Sequence, residues 1–145
     1  MKTELQRLFL EEVQKNFGFL RPKFKGPLIS EGYLSLTVAF VGENLAIEFV
    51  LDERDEDVSC YIARVIEGKP APFWSVDPQG KRVRGHFYAL LVDHGFRGKL
   101  FTVPPGLSFR EQIPIILAGY KQALQEYGKK VLEDDPEFLN VQRKW

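Results

Sequence analysis

"YLSLTVAFVGENLAIEFVLDERDEDVSCYIARVI", residues 33–66, decides the fold class. Leu34, Leu36, Val38 and Phe40 take every second position, and after Gly42-Glu43-Asn44 the period returns at Leu45, Ile47, Phe49 and Leu51. A period of two sends alternate side chains to opposite faces, so each segment predicts a strand with one buried face. "VSCYIARVI" is β-branched and aromatic, with Val58, Cys60 and Ile62 on one side, and reads as a third strand. Connections this short join antiparallel neighbours, which predicts a meander of three to four strands.

The six consecutive charges Asp52–Asp57 fall between the second and third of these strands. A calcium loop needs oxygen ligands at positions 1, 3 and 5, glycine at 6 and glutamate at 12. Counting from Asp52 puts Arg54 at position 3; counting from Asp55 puts Cys60 at 6 and Ile66 at 12. The spacing fails, and no metal site is predicted. An acidic docking patch is a second reading, but the run reads first as a hairpin tip whose charges discourage edge pairing.

Helical signals stand at both ends. Leu5, Leu8, Phe9 and Val13 have helical spacing, Thr3 and Gln6 have the spacing of a capping box, and Gly18 marks a stop. "RPKFKGPL" carries two prolines and a glycine and reads as a connector. Ile113, Ile116, Leu117, Tyr120, Leu124, Tyr127 and Val131 form the stripe of a long amphipathic helix, opened by Ser108 and Glu111. Pro114 inside it predicts a kink and Gly128 a bend, and Asp135-Pro136 marks a last helical start. Residues 84–95 fit a short helix ending at Gly95 or a strand, and "KLFTV" a further edge strand. The expectation is one α+β domain, residues 1–145: an antiparallel meander covered by an N-terminal helix and a long C-terminal helix.

Composition narrows the function. Twenty basic residues balance twenty acidic ones, whereas duplex binding draws its affinity from a basic excess. Cys60 is the single cysteine, which fits a reducing cytosol. Glu4, Glu11 and Glu12 interrupt what would be the apolar core of a leader, and no apolar run reaches the roughly 20 residues of a membrane span. A soluble cytoplasmic protein is expected, with no cofactor.

Catalytic signatures are missing as well. Gly80-Lys81 lacks the glycine of a phosphate loop, since Ser75 stands five positions before Gly80 and Arg82 follows the lysine. His86 and His94, eight residues apart, would be about 12 Å apart along a helix, too far to share a zinc ion. Cys60, mid-strand beside Val58 and Ile62, reads as packing rather than as a nucleophile. The carboxylates are numerous, and a small hydrolase using two of them is the alternative function. Residues 73–88 are the most distinctive stretch, where Phe73, Trp74, Phe87 and Tyr88 bracket Lys81, Arg82 and Arg84. Aromatic planes beside cations suit a protein surface or single-stranded nucleic acid. "RGHFYALL" overlaps an aromatic RNA-binding octamer at Arg84, Gly85 and Tyr88 but fails at Phe87. Trp74, Arg82 and Arg84 are therefore predicted to bind a protein partner, with nucleic acid disfavoured.

"IEFVLDERDEDVSCYI", "HFYALLVDHG" and "YKQALQEYGKKVLEDDPEF" occur in an order that resembles a loose group of small bacterial α+β proteins, some of immunity-protein-like architecture. That resemblance implies a non-catalytic module of immunity or regulatory type that binds another macromolecule. It transfers no site residue.

Overall fold

The computed structural model describes residues 2–72 and 77–140. Strands β1 (Lys25–Gly32), β2 (Ser35–Val41), β3 (Leu45–Asp52) and β4 (Asp57–Ile66) follow one another antiparallel across a sheet. Two short strands, β5 (Lys69–Pro70) and β6 (Arg84–His86), then pair with β4. The class is α+β with an antiparallel sheet, and among the described residues six strands stand where three to four were expected.

The added strands have local causes. "RPKFKGPL", expected as a connector, supplies the start of β1. Pro27 donates no hydrogen bond, so it is tolerated at a sheet edge, and the register shifts between Lys25 and Leu28 around it. Gly26, at φ 141°, lies where a Cβ would come within 2.7 Å of the Ala39 carbonyl. Residues 84–95 divide: β6 comes first and helix α2 (Phe87–Asp93) follows directly. "KLFTV" forms no strand; its Phe101 turns onto the C-terminal helix, 5.1 Å from the Tyr120 ring.

Helix α1 (Glu4–Phe17) begins with the capping box of Thr3 and Gln6, and α3 (Phe109–Tyr127) with that of Ser108 and Glu111. The α3 helix runs unbroken through Pro114 and ends at Gly128, after which α4 (Lys129–Leu132) makes a single turn. Together α1 and α3 cover one face of the sheet. Phe9, Val13 and Phe17 of α1 and Ile113, Leu117 and Leu124 of α3 are fully buried in one cluster with Leu36, Val38, Ile47, Phe49, Leu51 and Ile62. Phe17 stacks on Phe49 with ring centroids 4.0 Å apart. The outer flank of the expected α3 stripe is less deep, with Tyr127 47% exposed. No helix among the described residues is long and apolar enough to cross a membrane.

One carboxylate ties the C-terminal segment to the sheet. Asp134, at φ 59°, accepts hydrogen bonds from the backbone N–H groups of Glu43, Asn44 and Leu45 at 2.7–3.2 Å. Those donors form the β2–β3 turn, so the chain after α4 fixes the hairpin at the middle of the sheet.

Candidate functional site

The period of two that buries Ile47 and Phe49 under the helices turns Glu48 to the opposite, helix-free face. On that face a row crosses the sheet from Leu28 through Ala39, Glu48 and Tyr61 to His86. A parallel row holds Ser30, Thr37, Val50 and Ser59. Arg84 of β6 stands opposite the small Ala63, in the row beyond Glu48.

Arg84 uses that room to reach Glu48. Its Nη1 forms an ion pair with Glu48 Oε1 and donates to the Ala71 carbonyl at 3.1 Å, and the two side chains are only 9% and 10% exposed. The guanidinium lies 4.8 Å from the centroid of the Tyr61 ring, and Tyr61 packs on His86 at 4.2 Å. Burial raises the Glu48 carboxyl above its ordinary proton affinity, and the Arg84 charge opposes that shift without cancelling it. The Tyr61 hydroxyl is raised too, chiefly by burial. A central-strand carboxylate is thus held by a cation that itself lies against an aromatic ring.

A cleft of about 410 Å³ opens beside this pair, with Leu28, Ser30, Thr37 and Val50 on the sheet side and Lys69–Pro72 as the opposite wall. Its volume falls in the range of small-ligand sites, about 300–1,000 Å³. A larger cavity of about 520 Å³ lies past the end of α2. Its polar groups are spent on one another: Tyr88 donates to the Gly98 carbonyl, Arg97 to that of Phe96, and Asp93 is held by Arg82. The sheet cleft is the better candidate.

Arg84 forms the floor of the cleft. Arg82 pairs with Asp93 at 2.6 Å, tying the approach to β6 to the end of α2. Trp74 lies outside the described residues, as does Phe73. The charged run is a hairpin tip: Asp52 and Asp57 close the β3–β4 pair, Glu56 sits at φ 47°, and Asp52 Oδ1 accepts from the Asp55 N–H at 3.1 Å. His86 and His94 go separate ways, since His94 bonds the Phe138 carbonyl and stacks on that ring. Cys60 is buried under the helices, and burial pushes its thiol well up, which removes thiolate character.

Sequence reasoning missed Glu48. A signal was present in "LAIEFVL", where one charge interrupts an otherwise apolar strand. Its partner, 36 positions further along, could not be read from spacing. No family model, curated protein or solved structure matches the chain.

Proposed function

We propose that the protein is a non-catalytic binding module of the cytosol, regulatory or immunity-like in role, which docks another protein on the helix-free face of its sheet. The observation that carries this reading is the one-sided covering of the sheet. The helices close one face, while the other keeps Leu28 half exposed and Thr37, Val50 and Tyr61 partly exposed around a preformed cleft. Apolar groups within a polar rim are the pattern of a docking surface. Trp74, Arg82 and Arg84 remain the proposed aromatic and cationic part of the contact, residue types enriched among interface hot spots. The balance of 20 basic and 20 acidic residues favours a protein over a nucleic acid as partner.

The test is affinity capture from native cell extract with four chains side by side. Wild type and Gln125→Ala, on the exposed side of α3, should retain the same partner. Leu28→Asp and Val50→Asp should lose it. Equal retention by both face variants would move the docking site elsewhere.

A second reading, a small carboxylate-using hydrolase, has one observation in its favour: Glu48 stands beside a cleft with its proton affinity raised, as a general acid requires. Hydrolysis of a chromogenic ester or phosphate panel that Glu48→Gln abolishes would establish it.

A further inference from the structure

We propose that the cleft is a binding site for a small organic monocarboxylate with an apolar body. The assignment stands apart from protein docking, because it rests on the chemistry of the cleft wall rather than on the open extent of the face. Three groups there are uncommitted. Ser30 and Thr37 are cross-strand partners on β1 and β2, and neither hydroxyl bonds to another described side chain or carbonyl. The Lys69 ammonium, exposed on the wall, forms no ion pair among the described residues.

Charge selects the ligand's sign. Lys69 and Arg84 supply two cations to the cleft against the one carboxylate of Glu48, which Arg84 already holds. The surplus is a single positive charge, and a monoanion matches it. A doubly charged phosphate would overshoot that balance beside Glu48. A cationic ligand would meet Lys69 with no free carboxylate to receive it. Hydroxyl and ammonium donors arranged around one anion make charge-assisted hydrogen bonds to its two oxygens.

Shape selects the rest of the molecule. Leu28, Val50, Pro70 and Pro72 give the remaining lining an apolar character. A ligand that buries hydrocarbon there adds roughly 25 cal/mol per Å², which acetate cannot do. The geometry therefore points to an acid carrying a short chain or a single ring.

The experiment uses the full ¹⁵N-labelled chain, titrated with hexanoate and 3-phenylpropanoate and, as controls, hexanol, hexylammonium, acetate and inorganic phosphate. Either acid should shift the amide signals of Ser30, Thr37 and Val50 saturably, about ten-fold tighter than hexanol, the ratio expected when one charged hydrogen bond is lost. Lys69→Met keeps the aliphatic stem on an exposed position and should weaken the acid by a similar factor. Val50→Phe, which narrows the cleft without adding a polar group, should block it. Hexanol binding as tightly as hexanoate, phosphate binding more tightly, undiminished binding by Lys69→Met, or shifts confined to other residues would each overturn the assignment.

Discussion

Glu48 sits in the middle strand of the sheet, where a carboxylate is tolerated only if its charge is met, and Arg84 meets it. Removing one member of a buried ion pair strands the other, at about 3–5 kcal/mol, whereas replacing both with apolar groups is often neutral. Glu48→Leu and Arg84→Leu should each destabilise by that order in urea unfolding, and the double variant should recover most of the loss. Additive losses would show that the two residues act separately. The pH dependence has an unusual sign. Because the folded Glu48 carboxyl holds its proton more tightly than the ordinary 4.5, its contribution to stability is complete below about pH 4.5 and is lost as pH rises through the folded value. Wild type should therefore lose stability relative to Glu48→Gln as pH rises from 4.5 towards neutrality, and a constant difference across that window would refute the shift. Asp134 carries a different burden, since three turn donors depend on it. Asp134→Ala leaves them without their acceptor and should cost about 3 kcal/mol or more in the same measurement.

Elements differ in how plainly they could be read. Both capping boxes, the stripe of α3 and the alternation of β2 and β3 are local patterns, and each produced the expected element. Strand β1 was hidden because Gly26 and Pro27 give a turn signature to a segment that pairs only through its neighbour β2. The charge at Glu48 was legible, but its burial was not, since Lys69–Pro72 and Arg84 reach it only in three dimensions. The tertiary seat of Phe101 was likewise invisible: it depends on Gly119, where any Cβ would collide with the Phe101 ring. Leu124 offers the direct check on α3. Fully buried against the sheet, it should cost about 2–5 kcal/mol as Leu124→Ala in chemical unfolding, and a loss below about 1 kcal/mol would detach this helix face from the core.

In the molecule as a whole, a binding role requires the two faces of one sheet to be unequal. Ile47 and Phe49 point under the helices, while Glu48 and Val50, one residue away in each case, point to the cleft. A polar group buried without a partner costs several kcal/mol, but the same group on a hydrated face costs little. Ile47→Asp should therefore abolish the cooperative unfolding transition. Leu28→Asp, on the half-exposed edge of the opposite face, should retain that transition with stability within about 1 kcal/mol of wild type. Circular dichroism against urea concentration reads both. If Leu28→Asp unfolded the protein as Ile47→Asp does, the second face would be core as well. The cleft would then be a packing defect rather than a place for a partner. If both variants kept a normal transition, the helices would not cover the sheet as described. Retention by Leu28→Asp with collapse of Ile47→Asp is the outcome that one-sided covering requires, and it leaves the exposed edge of that face around Leu28 free to be altered without disturbing the fold that carries it.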